Sequence, residues 1–193
     1  MHVLLDYRPA LRARTGVGEY VHQLVLALAR SEHPGLRLTV FSSSWKDRID
    51  RSPFAALSLG VADCRVPVRT LNLAWHRLEW PPVEWLSGTR PDVVHSLHPL
   101  LMPTRAAAQV ITIHDLDFLS RPEHVSGEIR RDYGALVRAH AARAGAILVN
   151  SSYTAESVEH RLAIPRDRIF VGRPGIPSWL RPRASRPGPA APP

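Results

Sequence analysis

Short apolar runs rich in β-branched residues recur along this chain, with stretches of helical periodicity between them. The runs are His2 to Asp6 (HVLLD), Leu36 to Phe41 (LRLTVF), a weaker one near Ala62 to Val66, Asp92 to Ser96 (DVVHS), Gln109 to Ile113 (QVITI), Ala146 to Asn150 (AILVN) and Arg168 to Gly172 (RIFVG). Near-continuous apolar runs of about five residues suit strands buried on both faces, which is the environment of a parallel sheet. The helical stretches fit the crossovers such a sheet needs. Tyr20, Val21, Leu24, Val25 and Leu28 form one stripe, with Glu19 near the positive end of the helix dipole. Ile129, Tyr133, Leu136, Val137 and His140 form a second, and Thr154 to Leu162 a third, capped by Ser151 or Ser152. Trp75 to Leu86 holds three tryptophans and is interrupted by Pro81-Pro82, which predicts a short or broken helix. Strand–helix alternation with right-handed crossovers predicts an α/β class: a doubly wound, mostly parallel, Rossmann-like sheet over residues 1–180.

From Arg181 to Pro193 the sequence is RPRASRPGPAAPP, where apolar periodicity is gone and proline dominates. This predicts a linker or disordered tail over 181–193, and with it a further domain. The longest apolar stretch, Leu24 to Ala29, falls far short of the ~20 residues that span a bilayer. No basic segment precedes a long apolar run at the N-terminus, so no signal peptide is expected, and the chain is placed in the cytoplasm. The single cysteine, Cys64, excludes an internal disulfide and lies in an apolar stretch, as a small core residue would.

The formal net charge is +8, and Lys46 is the only lysine among 25 basic residues. So strong an arginine skew points to codon composition as much as to a ligand. The arginines suit peripheral contact with anionic headgroups at the inner face of a membrane. Nucleic acid is not expected as a partner, because no aromatic–basic interleaving or DNA-reading motif is present.

In an open parallel sheet, ligands bind beyond the carboxyl ends of the strands. Those ends read Asp6-Tyr7-Arg8, His95-Ser96-Leu97-His98, His114-Asp115, Asn150-Ser151 and Arg173-Pro174-Gly175. Several neighbouring strands thus exit into hydrogen-bonding residues, which describes a polar cleft. Gly16-Val17-Gly18 precedes the first helix, where backbone can approach an anion at the helix N-terminus. The dinucleotide fingerprint is incomplete, however. Val21 stands where a third glycine would, and the second strand ends in Phe41-Ser42-Ser43-Ser44 without an acid for a ribose. No NAD-type cofactor is expected. His114 ends the strongest central strand and is followed by Asp115; it is suited to exchange a hydrogen bond or proton with a sugar or alcohol hydroxyl, or equally to serve as a structural histidine bonded to backbone. His95-x-x-His98 and His114-Asp115 are the only groupings that suggest a metal, and with ten histidines in the chain and no HExxH or cysteine pair no metal is expected. A Ser-His-Asp hydrolase lacks its G-x-S-x-G elbow.

The segments DYRPALRARTGVGEYVHQLVLAL, PDVVHSLHPLLMP, VITIHDLDFLSRPE, AILVNSSYTAESV and IFVGRPGI, in this order, resemble the N-terminal domain of retaining family 4 glycosyltransferases of the GT-B fold, and most of all its mannosyltransferase-like and rhamnosyltransferase-like members that build bacterial polysaccharides. The resemblance runs from about residue 1 to 180. It implies a two-domain enzyme whose N-terminal half binds a glycan or lipid-linked acceptor and whose C-terminal half binds a nucleotide sugar, GDP- or UDP-linked, without a metal. It places Gly16 and Gly18 near the donor diphosphate, with Tyr20 beside them, and His114 near the transferred sugar. It assigns Ser151 and Arg173 to the cleft, which His95, His98 and Asp115 complete as strand-end residues. The family's E-x7-E segment and basic donor-side residue are absent, so this chain alone is expected to be inactive in transfer. The other reading is a stand-alone sugar-binding or interaction module.

Overall fold

The first strand, β1 (His2–Asp6), is buried along almost its whole length, and every other element is arranged around it. The computed structural model describes residues 1–12, 14, 16–31, 33–120 and 133–175. Over these residues the strands are β1, β2 (Arg37–Ser43), β3 (Leu59–Cys64), β4 (Val93–Ser96), β5 (Ala108–Ile113), β6 (Ala146–Val149) and β7 (Ile169–Val171). They form a seven-stranded sheet in the order β3-β2-β1-β4-β5-β6-β7, and all the pairings are parallel. The chain winds outward from β1 to β3, then returns to β1's other side with β4. Strand order therefore reverses between β1 and β4, which is where a doubly wound sheet opens a crevice.

The helices are α1 (Val17–Arg30), α2 (Val68–Leu78), α3 (Val83–Ser87), α4 (Asp117–Ser120), α5 (Tyr133–Arg143) and α6 (Ser152–Leu162). Alternate residues of a strand point to opposite faces. Leu5, Leu38 and Val40 face α1 and pack on its Val21, Val25 and Leu26. Leu4, Phe41 and Val94 face the other way, onto Leu71 and Trp75 of α2 and Val83 of α3. Ile111, Ile113, Ile147 and Val149 continue that second face under α5 and α6. On the α1 side of β5 to β7, Leu148 is half-buried and Phe170 exposed, so α1 covers only part of its face.

Several sequence expectations shift by a few residues for identifiable reasons. β2 runs on through Ser42 and Ser43, both fully buried, because the Ser43 hydroxyl donates to the Val66 carbonyl at 2.7 Å. β3 begins at Leu59 instead of Ala62; glycine at 60 lets it pass close to the Thr39 hydroxyl of β2. The helix before Pro81 starts at Val68, ahead of Trp75, and a cis Trp80–Pro81 bond separates it from α3. The expected stripe on α1 is rotated: Val21 and Val25 are buried, while Tyr20 and Leu24 stay half-open at the edge of the sheet. Cys64 is half-buried, donates to the Leu86 carbonyl, and has its thiol pKa raised by burial. Ile129 of the second predicted stripe, and the segment 181–193, lie outside the described residues. No described helix is long and apolar enough to cross a membrane.

Candidate active site

Asp6 ends β1 at the reversal point and is completely buried. A buried carboxylate is tolerable only if paired and hydrogen-bonded. Arg8, two residues on, supplies both requirements: its Nε donates to Oδ1 and its Nη2 to Oδ2, each at 2.8 Å, and its backbone N–H reaches Oδ1 at 3.0 Å. The same guanidinium donates from Nη1 to the Asn72 side chain at 2.9 Å and lies 4.6 Å from the Trp75 ring centre, so α2 fixes it from the other side. His98, from the loop after β4, completes the group. The Leu100 N–H donates to its Nδ1 at 3.2 Å, so Nε2 is the nitrogen that donates to Asp6 Oδ2 at 3.0 Å. Burial alone would raise the Asp6 pKa. Arg8's charge, with hydrogen bonds from His98 and Arg8, reverses that and holds the carboxyl well below the usual carboxylate range.

His114 stands just past the end of β5. Its Nε2 lies 3.3 Å from the Leu97 carbonyl, which can only accept, so Nε2 carries the proton. Burial lowers the His114 pKa, against the opposing pull of that carbonyl and of Asp115. The ring is thus held neutral with Nδ1 left as an acceptor. Tyr20 of α1 meets it edge-on. Both residues line a groove of about 910 Å³, together with Gly16, Asn150, Arg173 and Gly175. One side of the groove is α1 from its N-terminus to Arg30, and the other is the exits of β5, β6 and β7. Its lining combines apolar Leu24, Leu26 and Leu148 with polar Gln23, Asn150 and Arg173.

The structure brings Gly16, Tyr20, His114 and Arg173 together at this groove. Gly16 has φ +52°, a conformation that favours glycine, and its carbonyl accepts the Tyr20 N–H as the helix starts. Gly18 has a packing reason for being glycine: a Cβ there would lie 2.8 Å from the Pro9 carbonyl oxygen. Ser151 caps α6, accepting the Thr154 N–H at 3.1 Å, as expected of its position. Asp115 is exposed and accepts the Asp117 N–H at 3.0 Å as α4 begins. His95 departs from the expected cleft. Its side chain is buried on the α1 side of the sheet, 2.8 Å from the Thr112 hydroxyl, because its alternation along β4 turns it inward. His95 and His98 therefore bond to different partners and do not converge. Among the described residues, no three histidine, cysteine or acidic side chains come together to hold a metal. Sequence reading named Asp6 and Arg8 only as a strand exit and passed over Asn72 altogether. The signal for the ion pair was an acid and an arginine two residues apart at the end of a central strand.

A buried ion-paired cluster thus stands at the strand-order reversal, with a groove bounded by the first helix and a strand-end histidine. The model of glycosyltransferase family 4 matches residues 14–178. The chain belongs to glycosyltransferase family 4. No curated protein sequence matches it. Solved structures similar to this family 4 domain include a sucrose-phosphate synthase from Thermosynechococcus elongatus, at 16% identity and TM-score 0.57, covering 91% of this chain and 48% of that one. The lipopolysaccharide outer core galactosyltransferase WaaB in its apo form aligns at 12% identity and TM-score 0.51, over 88% of this chain and 44% of that one. Arabidopsis thaliana UGT89C1, complexed with quercetin, aligns at 17% identity and TM-score 0.52, over 96% of this chain and 52% of that one. At these identities the likeness concerns the fold, which is the Rossmann-like half of a GT-B glycosyltransferase. The family 4 domain spans about half the length of each of these structures.

Proposed function

We propose that this family 4 domain is the acceptor-side half of a retaining glycosyltransferase, working with a donor-binding domain that faces its carboxyl edge. The enzyme moves a sugar from a GDP- or UDP-linked donor to a glycan or lipid-linked acceptor in polysaccharide assembly, in the cytoplasm and in peripheral contact with the membrane. The observation that supports this reading is His114: an imidazole whose Nε2 is engaged by the Leu97 carbonyl and whose ring lines a large groove. Such a ring accepts a hydrogen bond from a sugar hydroxyl without adding charge to the acceptor, and it orients the sugar for attack. Gly16 and the N-terminus of α1 offer backbone N–H groups to a donor phosphate, and Arg173 offers a cation across the groove. The donor's remaining charge has to be met by groups of the facing domain, so a metal is not required by this side.

Residues 1–180 form the working unit in this reading, with 181–193 as the connection. The test is to titrate the 193-residue chain with nucleotide sugars and with oligosaccharide acceptors while following the histidine imidazole signals by NMR. Oligosaccharides are expected to move His114, and nucleotide sugars to be neither bound tightly nor turned over. Robust turnover by the chain alone would overturn the half-enzyme reading.

A further inference from the structure

A second pocket lies on the other face of the sheet from the His114 groove and at its other edge. It has a volume of about 210 Å³, between the end of α2, the last turn of α5, the β4–β5 connection and the start of β5. At about 30 Å³ for each water, that is room for about seven waters or for one small ring, and not for a chain of rings. In its lining Trp75, Leu101 and His140 are buried, whereas Glu79 and Arg143 are exposed and pair with each other. The buried part of the wall is therefore uncharged, and the exposed charges cancel.

Two groups of this wall keep hydrogen-bonding capacity that the protein does not fill. His140 is 4% exposed, and its Nδ1 accepts the Leu101 N–H at 2.8 Å. The neutral ring therefore carries its proton on Nε2, and burial keeps it neutral by lowering its pKa to about 4. Among the described residues no hydrogen bond uses that Nε2. Gln109 donates its side-chain N–H to the Met102 carbonyl at 2.7 Å, which leaves Oε1 as an acceptor without a partner. Neither atom is sealed in, because the fully enclosed polar atoms without a partner among the described residues belong to Ser42, Asp63 and Glu84. A hydroxyl meets both needs, since one oxygen accepts and donates.

We infer that this pocket is a second ligand site, which takes one neutral polyhydroxylated ring of monosaccharide size. Its hydroxyls accept from His140 Nε2–H and Arg143 and donate to Gln109 Oε1 and Glu79. A charged ligand is disfavoured, since its buried part would meet neutral groups alone. Glu79 adds to the case. It ends α2 at φ +50°, where helices commonly place glycine, and the side chain held in that strained position is the one that reaches Arg143. Trp75 of the wall also lies 4.6 Å from the Arg8 guanidinium, so a ligand here adjoins the helix that fixes the crevice arginine. The inference does not rest on the acceptor-side reading, and the pocket shares no lining residue with the His114 groove.

The test is an NMR titration of the imidazole signals of the 193-residue chain with D-glucose, D-galactose and, as a small zwitterion, glycine. The His140 signal is identified by its loss in His140→Gln. A hexose is expected to move it in the millimolar range, and glycine to leave it in place. Glu79→Gln with Arg143→Gln, at exposed positions, should weaken the binding by about tenfold or more. Gln109→Met should weaken it similarly, and circular dichroism checks that each variant is folded. No movement of His140 by either hexose overturns the inference, and so does movement that the Glu79 and Arg143 double variant leaves unchanged. Equal movement by glycine makes the pocket a site for zwitterions and also overturns it. A hexose that moves His114 alone overturns this inference and leaves the acceptor-side reading standing, so the two fail separately.

Discussion

Tyr20 and His114 stand edge-on, with ring centres 4.9 Å apart and planes at 84°. The contact joins the first turn of α1 to the exit of β5 and supplies part of the apolar surface that keeps His114 dry. Burial is the main cause of the lowered His114 pKa, so Tyr20→Ala should let it rise toward the ordinary histidine value, and Tyr20→Phe should not. An NMR titration of the imidazole signals checks this. Equal His114 titration in the two variants would mean that Tyr20 does not shield it.

The Asp6–Arg8–His98 group makes a stability prediction. Asp6→Asn leaves a buried guanidinium without its counter-charge, at a cost of about 3–5 kcal/mol. His98→Gln keeps a donor near Asp6 and should cost on the order of 1 kcal/mol. Urea denaturation of the two variants beside the parent measures the difference. Near-equal midpoints for Asp6→Asn and the parent would show that the pair contributes little.

The two glycines before and within α1 should lose stability to alanine for different reasons. At Gly16 no atom blocks a Cβ, and the cost is that of φ +52° with ψ −114°, outside the left-handed helical region, about 1–3 kcal/mol. At Gly18 the new Cβ meets the Pro9 carbonyl, and backbone has to move, at about 1–3 kcal/mol. Thermal denaturation should therefore show both Gly16→Ala and Gly18→Ala below the parent. A parent-like midpoint for Gly18→Ala would make the Pro9 contact unimportant.

Acid should destabilise the fold before its carboxylates titrate. Burial pushes the pKa values of His76, His95 and His140 from 6.5 to about 4, with help from neighbouring cations at His76 and His140. These rings bind protons less readily folded than unfolded, so the unfolded chain takes up more protons and stability falls as pH drops from 6.5 to about 4. The loss is on the order of 3 kcal/mol from the buried His95, and His76, whose ring keeps contact with water, adds less. Above 6.5 these groups leave stability flat. Denaturant midpoints measured across this range check the slope, and no change between pH 7 and pH 4.5 would contradict it.

The sheet was legible because β1, β4 and β5 are apolar on both faces, and only burial on both faces produces such runs. β3 was the weak strand because it is an edge strand whose residues are half-buried or, at Gly60, exposed, so its hydrophobic signal is diluted. His114 was legible as the polar end of an apolar strand. His95, on the same argument, was misplaced: strand alternation decides which way a strand-end side chain points, and one residue changes the face. The Arg8 site was hidden because Asn72 and Trp75 reach it from 64 and more residues away, through a helix whose start at Val68 the tryptophans obscured.

The central claim is that the His114 groove is the acceptor side of a sugar-transfer site. It is tested most directly by joining this domain to a family 4 donor-binding domain and measuring nucleoside diphosphate release from UDP- and GDP-sugars with a membrane lipid extract as acceptor. The account predicts turnover by the joined protein that His114→Ala lowers by about 100-fold or more, and that His33→Ala, at an exposed turn, leaves unchanged. Turnover by a folded His114→Ala protein at the parent rate would contradict it.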